Sequence, residues 1–162
     1  MRLSSLAIAA SLSACTLFVP DRRTPVDRAR EIEPKCGGFA DAASAAIVAP
    51  DAVESVEAGY SYVKAGSLDR AARMRGAKLR LKPLAGATKE SILRALACHE
   101  AGVALGRVPP HADDPYVAND RWLDIDVSSD GDGFVVFVQT DDLETARSVF
   151  ERAKRFAASR AK

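Results

Sequence analysis

Histidine is scarce in this chain: His99 and His111 are the whole supply in 162 residues. A zinc site would therefore have to draw on carboxylates. Cysteine is almost as rare, with three, and none are spaced Cys-x-x-Cys, so a thioredoxin-type redox motif is excluded. No apolar run approaches the roughly 18 residues that a membrane-spanning helix needs. Charge of one sign is not in excess either, since 23 Lys+Arg stand against 22 Asp+Glu. That balance gives no global pull towards nucleic acid or anionic lipid. Also missing are a Gly-rich phosphate loop, a nucleophile elbow and a carboxylate pair placed to act as acid and base. What the chain does have is 48% hydrophobic residues with six Phe, three Tyr and one Trp, enough for one modest core.

The first 15 residues, MRLSSLAIAASLSAC, carry the most specific pattern. Arg2 makes a short positive n-region, and Leu3 to Leu12 an apolar stretch of about ten residues, too short to span the bilayer and typical of a secretory signal. Leu12-Ser13-Ala14-Cys15 resembles the lipobox of bacterial lipoproteins. The resemblance implies that Cys15 is thioether-linked to diacylglycerol, becomes the new N-terminus on cleavage, and is acylated on its amine. Several acyl chains hold firmly, because each buried methylene contributes about 0.8 kcal/mol. Thr16, where an Asp would retain such lipoproteins at the inner membrane, implies the periplasmic face of the outer membrane. The alternative is an ordinary signal cut near Ala14 that leaves Cys15 a plain thiol.

These features divide the chain into a signal peptide (1–14), a lipid-anchored flexible linker (15–35) and one globular α+β domain (36–162). The linker, TLFVPDRRTPVDRAREIEPK from Thr16, has three prolines and mixed charges without a sustained apolar period. Val26 to Ile32 has room for a helical turn or two within it.

Inside the domain, an alanine-rich segment ends at Pro50. VESVEAGYSYVK then alternates, with Val56, Ala58, Tyr60 and Tyr62 on one side, as in a half-buried strand. AKLRLKPL alternates more strictly, Leu79 and Leu81 inward and Lys78, Arg80 and Lys82 outward. Thr88 is a candidate N-cap for a helix that ends near Leu105 and Gly106. RWLDIDVSSD alternates again, with Leu123, Ile125 and Val127 inward and Asp124 and Asp126 outward. GDG turns it into the central-strand run FVVFVQT. Asp141 and Glu144 form a capping pair for a last helix whose Leu143, Ala146, Phe150, Ala153 and Ala157 share one stripe. The order strand-strand-helix, twice, predicts a two-layer sandwich: a four-stranded, mostly antiparallel sheet with both helices on one face.

With one cysteine given to the lipid, Cys36 and Cys98 remain as an even pair in an oxidising compartment. A disulfide would close 62 residues (98 − 36) and contribute about 4 kcal/mol on the chain-entropy model. Free thiols, or a catalytic or ligating thiol, are the alternatives. The neighbouring His99 points elsewhere. At about 100° per residue it shares a sector with Ile92, Leu96 and Val103, while Cys98 sits a full residue step away. The divergence opposes a Cys-His dyad or a shared metal. It makes His99 a semi-buried histidine bonded to backbone or carboxylate. A metal site would combine His99 with His111, Asp113 or Asp114 of the loop PPHADDPY. The aspartates of DIDVSSDGDG lack the spacing and final glutamate of a calcium loop and suit a hairpin turn instead. No cofactor is indicated.

One basic span remains: Arg70, Arg73, Arg75, Lys78, Arg80 and Lys82 lie within DRAARMRGAKLRLK. It is either an anion-binding face or a solvated strand face paired with Asp124 and Asp126 across the sheet. The stretch from CHEAGVALG through WLDIDV to GDGFVVFV also resembles a group of uncharacterised bacterial envelope lipoproteins, which implies no activity. The reading is a lipid-anchored envelope lipoprotein with a non-enzymatic binding or scaffold domain in the periplasm. Its partners are the membrane, through the lipid, and an envelope protein or anionic glycan. The rivals are a metal- or thiol-dependent enzyme using Cys98, His99 or His111, and a binder of anionic envelope polymers through residues 70–82.

Overall fold

The computed structural model describes residues 23–37, 42–65 and 69–160. The expectations placed on residues 1–22, the signal and the Cys15 anchor, lie outside them. Among the described residues no helix is long and apolar enough to cross a membrane.

Folded structure begins earlier than the linker boundary at residue 35. Helix α1, Pro25–Ile32, is followed by a 3₁₀ turn, Glu33–Lys35. The Thr24 hydroxyl accepts the Asp27 N–H, and the Asp27 carboxylate accepts the Thr24 N–H, a complete capping box. Pro25 occupies the first turn, where its missing N–H costs nothing. One fully buried side chain, Ala29, faces helix α3, Lys89–Ala104. The helix is amphipathic but only two turns long, too short to be stable by itself. Its stability comes from capping and from packing on α3.

Helix α2, Ala42–Ile47, also packs on α3 and leads through the 3₁₀ turn Pro50–Ala52 into strands β1, Val53–Ala65, and β2, Asp69–Leu81. After α3 come β3, Asp124–Asp130, and β4, Gly133–Gln139, and then α4, Leu143–Ser159. The fold is α+β, with one four-stranded antiparallel sheet in the order β1-β2-β4-β3. Residues Val56, Leu79, Val136 and Val127 form one cross-sheet row, and Ala58, Ala77, Val138 and Ile125 the next. This apolar side meets Ile92 and Leu96 of α3 and Val149, Ala153 and Phe156 of α4 in a single core. The two long helices therefore share one face of the sheet.

Turn chemistry follows sequence closely at β3–β4. Asp130 and Gly133 pair, leaving a two-residue loop whose first member, Gly131, has φ 63°. That is the type II′ arrangement, which glycine adopts without strain. Helix α3 starts at Thr88 as the sequence predicts, with Thr88 and Ser91 exchanging side-chain hydrogen bonds.

Two expectations shift. The N-cap of α4 is Asp142, not Asp141: Asp142 Oδ1 accepts the Thr145 N–H at 2.8 Å and its hydroxyl at 2.7 Å. The buried stripe is accordingly Ala146, Val149, Ala153 and Phe156, with Leu143 42% exposed. In β1, Tyr60 and Tyr62 stay on the Val56 side but are not half-buried. They are 47% and 72% exposed. β4 pairs with β2 only over Gly76–Leu81, whereas β1 follows β2 back to Asp69. The hairpin beyond Gly59 and Gly76 is thus a two-stranded arm running past the sheet.

Candidate functional site

Helix α3 is enclosed on two sides, and its two neighbours Cys98 and His99 serve different ones. Cys98 Sγ is at bonding distance from Cys36 Sγ (2.07 Å), with the Cα atoms 5.6 Å apart, inside the usual range for a disulfide. Cys36 follows the 3₁₀ turn after α1, so the pair joins the start of the domain to α3. His99 turns instead to the loop that follows the helix. Its Nε2 lies 2.5 Å from Asp114 Oδ2, and the other carboxylate oxygen, Oδ1, accepts the Tyr116 N–H at 2.9 Å. Both side chains are largely buried. The divergence expected from helix geometry is what the structure has, and the carboxylate partner is Asp114.

Next to His99 sits Glu100, which sequence reading passed over. It is 3% exposed, and its Oε1 accepts the Leu123 N–H at 2.8 Å. Burial pushes its carboxyl up to about 8, and the nearby Asp114 and Asp124 add to the rise against the pull of Leu123 N–H and Arg28. A neutral Glu100 at pH 7 thus tethers the residue before β3 to the middle of α3. Its position was legible: four residues after Leu96, it lies about 40° from that core side chain.

Beside the His99–Asp114 pair a cavity of about 640 Å³ opens between the loop and the first turns of α4, with Asp114, Arg121, Asp142, Ser148 and Arg152 in its lining. Arg152 reaches across from α4, donating from Nη1 to the Val117 carbonyl at 2.7 Å. Burial draws its pKa below the ordinary guanidinium value, opposed by Asp114. Arg121 is held by Asp120, with donations at 3.3 and 2.8 Å, and faces Asp142 at 3.6 Å. Under the loop, Tyr116 is fully buried and meets Phe156 edge-on at 5.9 Å. Burial raises its phenol pKa, with Asp114 adding to the effect. Asp114, Tyr116, Arg121 and Arg152 come together only because the loop folds back between α3 and α4. Sequence spacing alone would not have grouped them.

Of the other candidates, His111 lines this cavity with Asp114, while Asp113 and the basic span do not. His111 Nδ1 accepts the Asp113 N–H at 3.2 Å, and its ring stands edge-on to Phe156 at 5.4 Å. Asp113 accepts from Arg155 Nε at 2.7 Å. Among the described residues no group of three or more His, Cys, Asp or Glu is placed to hold a metal ion. The basic span divides between surroundings. Arg75 pairs with Asp141 at 2.6 Å, and Arg73 donates to the Asp141 carbonyl at 2.5 Å. Arg80 is bracketed by Glu54, at 3.1 Å, and Asp130, while Lys78 lies over the Phe137 ring at 5.5 Å. Lys82, just past β2, is exposed. The expected pairing of this face with Asp124 and Asp126 is not found, because β4 stands between β2 and β3.

Comparison with protein-family models, with curated proteins and with solved structures finds no match to this chain.

Proposed function

We propose that this is a lipid-anchored protein of the bacterial envelope, on the periplasmic face of the outer membrane, whose domain binds a partner and does no chemistry on it. The observation that carries the exported setting is the approach of Cys36 to Cys98. A structural disulfide persists in an oxidising compartment. Its formation leaves Cys15 as the odd cysteine, in the position the lipobox resemblance assigns to the lipid. The binding surface is the cavity beside Asp114. Asp114 in its lining is already committed to holding the loop, with His99 at one oxygen and Tyr116 N–H at the other, and the histidine of the lining, His111, accepts the Asp113 N–H. The cavity carries both signs, Arg121 and Arg152 against Asp120, Asp142 and Glu144. Such a lining suits an envelope protein segment of mixed charge better than a polyanion. The divided basic span favours the same choice.

The test is the intact mass of the protein taken from membranes of its native host. The expected result is a chain beginning at Cys15, heavier by its acyl groups and lighter by the two hydrogens of one disulfide. A chain that keeps residues 1–14, or one with three free thiols, would refute the reading. A hydrolytic or redox activity of the protein that disappears in a folded His99→Ala variant would refute the binding role.

A further inference from the structure

Strand β1 is an edge of the sheet, and among the described residues no strand pairs with its outer side. Long edges are usually blunted by charge, proline or a covering segment. Among the described residues only the base is covered, where Arg160 Nη1 donates to the carbonyls of Val53 and Glu54. From Val56 to Tyr62 the edge has no proline and one charge, Glu57, which points away from the helices. On the helix side of the same segment are the exposed rings of Tyr60 and Tyr62.

We propose that this edge is the interface of a two-fold dimer, β1 pairing antiparallel with β1 of a second copy about Gly59. The sequence around Gly59 fits such an axis. Val56 would face Tyr62 of the other copy, Glu57 would face Ser61, and Ala58 would face Tyr60, so each pair keeps side chains of one face together. These are aliphatic–aromatic and carboxylate–hydroxyl pairs, both favourable across strands. A receiving groove lies at the required place. About 470 Å³ is open beside Val56 between β1 and the end of α4, with Ala157 and Ala158 on one wall and Lys154 and Arg160 at the rim. The incoming Tyr62 ring would rest on the alanines beside Glu54, Lys154 and Arg160, with Lys154 already over the Phe150 ring and paired with Glu151 at 3.3 Å. Because the axis is two-fold, both grooves fill at once and the two sheets join into one of eight strands. The occupant is therefore a second copy of this chain: the strand supplies both the knob and its complementary partner in the same register.

The dimer is independent of the cavity beside Asp114, which involves other residues. Sedimentation equilibrium of the full chain in nonionic detergent tests it. The wild type and Tyr62→Phe are expected to associate as dimers in the micromolar range. Tyr62→Glu on the arm and Ala158→Glu on the groove wall are each expected to weaken association at least ~10-fold, as removal of a central aromatic anchor does. Both positions are exposed, and far-UV circular dichroism confirms that the variants fold. Ser128→Glu, on the opposite edge strand, is expected to change nothing. A monomeric wild type, a dimer indifferent to Tyr62→Glu and Ala158→Glu, or equal dissociation by Ser128→Glu would overturn the proposal.

Discussion

Replacing Glu100 by glutamine should make the protein more stable at neutral and alkaline pH, and by an amount that grows with pH in a definite window. The folded state holds the Glu100 carboxyl at about 8, against 4.5 for the free side chain. Between those values the folded chain keeps a proton that the unfolded chain has released. Stability contributed by this group is therefore fully present below about pH 4.5, falls as pH rises, and levels off above about 8. Each tenfold change in a proton-binding constant is worth about 1.4 kcal/mol, so the loss is about 3 kcal/mol at pH 7 and near 5 kcal/mol above pH 8 as an upper bound. Glutamine keeps an acceptor oxygen for the Leu123 N–H and never ionises. The variant and the wild type should thus be alike at pH 5 and diverge steadily to pH 8.5. Urea unfolding under non-reducing conditions across that range measures the difference directly, with other carboxylates cancelling between the two proteins. Glu100→Ala provides the contrast, since it strands the buried Leu123 N–H at a cost of about 1–3 kcal/mol. Parallel curves for wild type and Glu100→Gln, or a glutamine variant less stable at pH 8.5, would refute the reasoning.

Three further outcomes are expected. Exchanging both Cys36 and Cys98 for serine should lower unfolding free energy by about 4 kcal/mol, the loop-closure value for 62 residues, and make stability insensitive to reductant. His99→Ala removes the partner of the buried Asp114 Oδ2, a loss of about 1–3 kcal/mol; amide exchange should rise first at Tyr116 and its neighbours, and a global loss with no local signature would count against the pair as the loop's anchor. Gly76→Ala should destabilise by at least ~1–3 kcal/mol in thermal unfolding, because a Cβ there would lie 2.1 Å from the Val138 carbonyl oxygen at φ 149°.

Much of the fold was legible because alternation and capping are local. Leu79 and Leu81, Ile125 and Val127, Thr88 and the Gly131 turn all lie where their own neighbours in sequence put them. The errors have a common origin in contacts made at a distance. Helix α1 is amphipathic but eight residues long, and depends on packing against α3. The arm's tyrosines alternate like core residues but lie past Gly76, where β4 no longer flanks β2. Asp142 rather than Asp141 caps α4, and Asp141 pairs with Arg75 of β2 instead.

For the site the division is similar. Sequence by itself set Cys98 and His99 in directions about 100° apart on the helix, which opposes a shared site, and left His99 needing a polar partner. It also determined the α+β class, since periods of two and 3.6 follow from which backbone geometry presents apolar side chains to one side. Only the tertiary structure decided that the partner is Asp114, that Glu100 is buried and carries a raised pKa, and that β4 rather than β3 lies beside β2. A side chain's period reports which way it points. What stands there to meet it depends on segments far away in the chain, and burial, pairing and strand order are properties of that meeting.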